Sequence, residues 1–553
     1  MAFNDYLKGI FRDCARENFE IELNVDSIKV DKAPVGTHGT YGVNAGFLLS
    51  KAIKKSPFDA AAAVAELLKT NKNIVDPQPV KPGYVNFFIS PAYYAQQVEM
   101  LLSDDSFFCN NTGSGKKINL EFVSANPVGP LVVVSGRAAS YGDSLGKLLS
   151  MSGYHVVKED YVNDYGRQMD LFGLSLKERY MELFGTPANI PEGGYLGQYV
   201  IELAEKIKAE KGDSLVAEYK DNFDLKDNYF RKIGLEKMIQ WQKQTLEKFG
   251  VAFDNWFYES ELHKSKEVEE AFEKIEKRGL FKEEEGAVWF KTTEFGDDKD
   301  RVVKKQDGQF TYFASDIAYM LNKLEKRGFD RVINILGPDH HGYIKRMEAI
   351  VQGLGYEKER LDVLILQQVN LMENGEKVKM SKRAGKIAAL DDLIDEVGKD
   401  AARYFFIMRN YNSHLDFDIE LAKEQSDKNP VFYVQYAYAR ACGILLKIKE
   451  AADKDYESKE ADFSALEPEE EDILLYMLNM PDVIKEAAAR YAPSTLVAAM
   501  FELVSKFHSF YNKHRVISET GEVSPKRAVL IKALKKTLET CFDIIGITKR
   551  ERM

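Results

Sequence analysis

The sequence predicts an α/β protein: a doubly wound parallel sheet at the centre, a smaller α+β unit before it and an all-α bundle after it. Three observations lead there. From about residue 113 to about 425, strand-like and helix-like segments alternate, as a parallel sheet with crossover helices requires. After about 426 the apolar spacing is helical, with no sustained strand-like run. Before 113, a helix near the start and a strand-like run flank a Gly-rich stretch. A chain of 553 residues that is 45% hydrophobic can bury several cores.

Taken in order, the first unit covers residues 1–112. It holds the Gly-rich stretch Gly36-Thr37-His38-Gly39-Thr40-Tyr41-Gly42, a helix through Ala60–Lys69 and a strand at Tyr84–Ile89, and it ends in the linker-like Asn110-Asn111-Thr112-Gly113-Ser114-Gly115. The central unit, 113–425, opens on Lys116–Ser124, whose alternating apolar residues predict a strand. Ala125-Asn126-Pro127-Val128-Gly129-Pro130 breaks the chain. A helix follows, with Ser135 as N-cap, Gly136 and Arg137 in the first turn, and Ala138, Tyr141, Leu145, Leu148 and Leu149 at helical spacing. Strand, Pro/Gly turn and helix N-terminus make a nucleotide site in doubly wound sheets, because unpaired amides can face phosphate. A polar, helix-rich stretch from about 190 to 285 reads as an insertion. Further on, Lys379-Met380-Ser381-Lys382-Arg383 sets three cations within five positions, where a polyphosphate could be gripped. In a chain that is 29% charged, a solvated charge run is the alternative reading. In the last unit, 426–553, helices are predicted through Val431–Ile448, Ile473–Ala488, Thr495–Tyr511 and Lys526–Ile545. Most of Phe432, Tyr433, Tyr436 and Tyr438 should lie in that bundle's core.

Composition bounds the class. Cys14, Cys109, Cys442 and Cys541 lie far apart without a Cys-x-x-Cys, which argues against a zinc knuckle and for a reducing compartment. Met1–Glu20 carries no continuous apolar stretch, so the cytoplasm is the expected address and no membrane contact is expected. Adjacent His340 and His341 invite a metal reading, but neighbouring side chains diverge and no third ligand follows at metal spacing, so no tightly bound metal is expected. The net charge of −11 is unevenly spread, acidic from Glu450 to Asp472 and basic from Lys513 to Arg552. Contact with nucleic acid depends on that local charge and not on the total.

A set of blocks in fixed order resembles the arginyl-tRNA synthetases, of class I. They are Ser124-Ala125-Asn126-Pro127-Val128-Gly129-Pro130-Leu131, Tyr161-Val162-Asn163-Asp164-Tyr165-Gly166-Arg167-Gln168, Phe295-Gly296-Asp297-Asp298-Lys299-Asp300-Arg301-Val302 and Gly337-Pro338-Asp339-His340-His341-Gly342-Tyr343, then the Lys379–Arg383 cluster. Ser413–Asp418, Asn429–Ala437 and Glu551-Arg552-Met553 extend the match over essentially the whole chain.

The resemblance implies a Rossmann-type catalytic domain with an N-terminal add-on that touches the tRNA corner and a helical anticodon-binding bundle. It implies activation of L-arginine by ATP with Mg2+, transfer to tRNA(Arg), a need for bound tRNA before activation, and a monomer. By motif position, Glu121, Asn126, Tyr312 and Asp316 would hold arginine. ATP would be bordered by Pro127, Gly129, Pro130, Ser135, Gly136, Asp339, His340, His341, Met380 and Ser381. Lys379, Lys382 and Arg383 would close over the pyrophosphate, and Tyr511, Lys513, His514 and Arg515 would meet tRNA, since aromatics beside cations suit splayed bases.

One departure stands out. Where class I synthetases carry His-x-Gly-His, this chain has Val132-Val133-Val134-Ser135. Valine offers no donor, and a branched side chain at 134 crowds a ring lying on the backbone. The helix amides and the basic loop remain, so the expected reading is an active but altered site. A tRNA-binding protein that lost catalysis is the alternative, and a class I enzyme for another amino acid is a third reading.

Overall fold

The computed structural model describes residues 3–34, 36–219, 223–378 and 389–553. Its centre is a parallel sheet of β1 (Lys117–Glu121), β2 (His155–Val162), β3 (Asn255–Tyr258), β4 (Arg331–Leu336) and β5 (Leu361–Ile365), in spatial order β5-β4-β1-β2-β3. Every pair is parallel. From β1 the chain first winds outward to β2 and β3, then returns to lay β4 and β5 on the other flank. The reversal opens a crevice at the carboxyl ends of β1 and β4, where ligands of such sheets bind.

Helices cover both faces, so the inner strands are buried on both sides. Helix α1 (Val133–Met151) runs back along β1. Gly142 permits its close approach, because a Cβ there would meet the Phe122 ring at 2.2 Å. Helices α2 (Arg167–Glu182) and α3 (Tyr229–Lys248) pack a separate core around Phe172, Tyr180, Leu203 and Phe230 with the helix Gln198–Lys211. β3 falls inside the stretch expected as an insertion from about 190 to 285, yet it pairs with β2 in the main sheet. Four residues between polar helices carry too little periodicity to reveal a strand.

In the N-terminal unit the strand Tyr84–Ile89 forms as expected, within a four-stranded antiparallel sheet with Val30–Lys32, Tyr41–Val43 and Ile74–Val80. The end of the Gly-rich stretch is therefore part of a strand. This unit rests on the C-terminal bundle: Glu471 accepts from Thr40 Oγ1 at 3.1 Å and Tyr94 Oη at 3.0 Å, and Lys32 pairs with Asp472 at 2.6 Å.

After helices α4 (Glu259–Lys264), α5 (Tyr312–Leu321), α6 (Tyr343–Gly353) and α7 (Lys399–Ile407), the bundle is built on α8 (Pro430–Ala452), two shorter helices (Pro468–Leu478 and Met480–Ala489), α9 (Pro493–Lys513) and α10 (Pro525–Ile545). Asn429 caps α8 by accepting from the Val431 amide, and Pro430 needs no amide partner in the first turn. Tyr438 is core as expected, but Phe432, Tyr433 and Tyr436 are only half-buried. Buried Arg403 of α7 ties the bundle to the sheet, donating to the Ile545 carbonyl at 2.9 Å and to Asp143 of α1 at 2.6 Å.

Candidate active site

The crevice begins where β1 ends. Val123 and Ser124 take positive φ values of 70° and 41°, which non-glycine residues adopt rarely and at a cost, and the chain turns sharply. Ser124 repays the turn with three bonds: its amide donates to Asp160 Oδ2 at 3.2 Å, its hydroxyl donates to Glu121 Oε1 at 3.1 Å and accepts from the Tyr161 amide at 3.1 Å. Beyond it, Gln242 Nε2 donates to the carbonyls of Asn126 at 3.3 Å and Gly129 at 3.1 Å, and Tyr199 Oη donates to the Val128 carbonyl at 2.6 Å. The Asn126 side chain is exposed, Pro127 is buried, and Gly129 and Pro130 are half-buried.

Helix α1 starts earlier than the sequence suggested. Val132, not Ser135, occupies the N-cap position with φ −93° and ψ 167°, and no side chain caps the turn. Ser135 lies inside it, its amide donating to the Val132 carbonyl at 2.9 Å. A contact distant in sequence fixes the corner before the helix: Val132 bridges Ala389 and the Leu390 amide donates to the Leu131 carbonyl at 2.8 Å, so the chain is extended up to 132 and helical from 133. Gly136 is buried behind the corner, where a Cβ would meet Leu390 Cδ1 at 2.5 Å. Val132 itself is 49% exposed. Arg137 anchors the first turn from below, donating to the carbonyls of Gln367 at 2.6 Å and of Asn410 and Ser413 at 2.9 Å.

Lys379, Met380, Ser381, Lys382 and Arg383 lie outside the described residues. The described chain stops at Val378 and resumes at Ala389, beside Val132.

Four carboxyl groups gather in the crevice. Glu121, at the end of β1, is paired with the buried Lys323 at 2.5 Å. Asp160 of β2 is driven well above the usual carboxylate range by burial and by the nearby charge of Glu121. Tyr312 and Asp316 stand one turn apart on α5. Asp316 accepts from Tyr343 Oη. Burial pushes the Asp316 carboxyl up to about 7, with the charges of Glu259 and Glu121 adding to the rise and Tyr343 and Arg346 opposing it. Glu259, 2% exposed at the start of α4, accepts from Asn163 Nδ2 at 3.0 Å. Sequence reasoning missed Glu259; the only signal was an acid immediately after a strand.

Tyr312 is 57% exposed and walls the opening. Gly166, at φ +90°, leaves it room, since a Cβ would come within 2.5 Å of Tyr312 Oη. Tyr165 stacks on His263 with centroids 4.0 Å apart. Across the crevice, Asp339, His340 and His341 are exposed on the turn after β4, with His341 Nε2 3.4 Å from Gln367 Nε2. A cleft with clustered carboxyl groups at the end of β1 and along α5, beside a helix N-terminus without a side-chain cap, fits an elongated dication next to a phosphate-bearing partner.

On the bundle, the predicted basic stretch divides. Phe510 is core. Lys513 and His514 both bind Glu469, the latter at 3.1 Å, and their hydrogen bonds hold the Glu469 carboxyl down to about 2. Arg515 is exposed and 3.9 Å from Glu519. Tyr511 lies under the Arg440 guanidinium at 4.9 Å, and Arg440 also covers Tyr436 at 5.1 Å. Together with Tyr433, 4.8 Å from His508, these form a half-buried aromatic and cationic face, of which Tyr433 and Tyr436 were expected in the core and Tyr511 beside tRNA.

Residues 97–423 match the family model for the catalytic domain of class I tRNA synthetases (R), 434–553 that for the DALR anticodon binding domain, and 2–89 that for the arginyl tRNA synthetase N terminal domain. The chain is 42% identical over 520 residues to arginine–tRNA ligase 1 of Halalkalibacterium halodurans, covering 93% of this chain and 92% of that protein. It is 42% identical over 536 residues to the arginine–tRNA ligase of Listeria monocytogenes, covering 96% and 95%. Its fold is similar to that of the Thermus thermophilus arginyl-tRNA synthetase, with a TM-score of 0.74, 19% identity and full coverage of both chains.

Proposed function

The chain belongs to the class I arginyl-tRNA synthetase family, and from that membership we infer that it joins L-arginine to tRNA(Arg) at the expense of ATP. One carboxylate oxygen of arginine attacks the α-phosphorus; the bond to the β-phosphate bridging oxygen breaks and pyrophosphate leaves. A hydroxyl of the terminal tRNA ribose then attacks the arginyl carbonyl and AMP departs. Positioning and charge neutralisation dominate such chemistry.

The observation that carries the site assignment is the set of carboxyl groups spread along one crevice. Asp316 and Glu259 would take the guanidinium, whose planar fork of donors suits two carboxylates, with Tyr312 as its flat wall. Glu121 and Asn126 would take the α-ammonium end. ATP would lie between the Asn126–Ser135 corner and the Asp339–His341 turn, arriving as its Mg2+ complex with most of the metal's water retained. With no histidine at 132 or 135, the phosphates rely on the open amides at the start of α1 and on Lys379, Lys382 and Arg383.

Transfer RNA would meet Arg440, Tyr436, Tyr511 and Arg515 on the bundle. Units at 1–112, 113–425 and 426–553 remain our division of the chain, acting as a monomer. Among the described residues no helix is long and apolar enough to cross a membrane, and four free cysteines support a reducing compartment, the cytoplasm.

The test is Asp316→Asn. It removes the ionic partner of a desolvated guanidinium, so it should raise the KM for arginine by about tenfold or more and leave the KM for ATP nearly unchanged. Equal effects on both substrates would remove Asp316 from the arginine subsite. The exposed Val132 favours one other reading, a tRNA-binding protein without turnover, which predicts tRNA binding but no exchange of pyrophosphate into ATP.

A further inference from the structure

Lys323 plays no part in the reading above, yet its ammonium is bonded directly to Glu121. Its side chain is wholly buried, a position an ammonium tolerates only when paired. The chain reaches that position through a π-helical turn, Asn322–Lys326, that continues α5. There Nζ donates to Glu121 Oε2 at 2.5 Å, lies 3.5 Å from Asn334 Oδ1 and sits over the Tyr319 ring at 4.0 Å. Tyr319 is held in turn by donating to Glu159 at 2.6 Å.

The other Glu121 oxygen accepts from Ser124 Oγ at 3.1 Å, so both oxygens of this carboxylate are tied and its plane is fixed. Its neighbour Asp160 lacks an equivalent. Asp160 Oδ2 takes the Ser124 amide, Oδ1 has no hydrogen-bond partner among the described residues, and burial favours its neutral form. Of two adjacent acids, the one with both oxygens tied is the one the lysine touches.

We propose that Lys323 is a positioning residue for the amino-acid subsite: it fixes the Glu121 carboxylate in one orientation, and thereby makes binding depend on the α-ammonium of the substrate. This rests on the assignment of Glu121 to the α-ammonium end. A guanidino acid of the same length without the amine gains nothing from the pair, so Lys323 selects α-amino acids over their deaminated analogues.

Titration calorimetry on the full chain tests this with two ligands, L-arginine and 5-guanidinopentanoate. Lys323→Met should weaken arginine about tenfold or more, the size of a lost charge-assisted hydrogen bond, and the deaminated acid by no more than about threefold. Lys323→Arg should keep arginine affinity within a few-fold. In an E121Q background, Lys323→Met should add less than about threefold, because the lysine acts through Glu121.

Equal weakening of both ligands, or none for arginine, would overturn the proposal. If E121Q itself fails to separate the two ligands, the assignment of Glu121 to the amine falls and takes the proposal with it. If E121Q separates them and Lys323→Met does not, only the role of Lys323 falls. Insolubility of Lys323→Met and Lys323→Gln together with loss of both ligands in Lys323→Arg would assign the lysine to the fold and overturn its role in the site.

Discussion

Arginine binding should be strongly pH-dependent near neutrality, and the dependence should come from Asp316. Burial first, then the charges of Glu259 and Glu121, raise this carboxyl to about 7 in the ligand-free protein. A guanidinium binds the ionised form, so the competent fraction falls as pH drops below that value. Apparent affinity scales with the competent fraction, which is about nine-tenths at pH 8, about half at pH 7 and about one-tenth at pH 6. The dissociation constant for arginine should therefore rise roughly tenfold between pH 8 and pH 6. Calorimetry at fixed ionic strength reads this directly, and proton release should accompany binding at about pH 6.5. ATP, which the proposed placement keeps away from Asp316, serves as the internal control. In Asp316→Asn the slope should vanish as the overall affinity falls. Arginine affinity that is flat from about pH 6 to about pH 8, or a slope that survives in Asp316→Asn, would refute the reasoning.

Other expectations follow from the same geometry. The Asp316 carboxyl titrates at about 7 in the fold against 3.8 ordinarily, so between those values the folded state holds the extra proton and stability from this group falls as pH rises. Asp316→Asn should thus raise Tm more at about pH 8 than at about pH 5, gaining stability where it loses substrate; a drop in Tm at pH 8 would contradict this. Gly166→Ala forces a Cβ to within 2.5 Å of Tyr312 Oη at a φ of +90°, so it should raise the KM for arginine several-fold; an unchanged KM would detach Tyr312 from the subsite. Arg440→Ala or Arg515→Glu should weaken tRNA binding and flatten its salt dependence, whereas Lys513→Ala, which mainly frees Glu469, should do less. The reverse ranking in a salt titration would move the tRNA face elsewhere.

What the sequence made legible was local. Alternation in Lys116–Ser124, the Pro/Gly break after it and the helical spacing from Ala138 to Leu149 sufficed to set a strand, turn and helix around the crevice, because each signal lies within a few residues of the element it specifies. Tyr312 and Asp316 were reached through motif position in the family resemblance, and their four-residue spacing becomes one face once the helix forms. The start of α1 was not legible, because the contact that fixes the corner before it reaches from Val132 to Ala389. Glu259 was invisible as one acid among many, made distinctive only by burial beside Asn163 and Asp316. Lys323 and Glu121 are 202 residues apart, and nothing near either announces the pair. Arg440 was obscured differently: the apolar stripe of its helix drew Tyr436 into the expected core, and nothing local shows that this cation lies over both Tyr436 and Tyr511 of a neighbouring helix. The cation cluster Lys379–Arg383 was read from composition and motif order alone.

The central claim is that this chain activates arginine without the His-x-Gly-His side chains. Exchange of labelled pyrophosphate into ATP, driven by arginine, with and without tRNA and with lysine and glutamine as controls, tests it most directly. The account predicts exchange with arginine alone among the amino acids, and dependent on tRNA. No exchange under any condition, from protein that still binds tRNA, would contradict it and leave Val132-Val133-Val134-Ser135 as the mark of a synthetase scaffold that has given up catalysis.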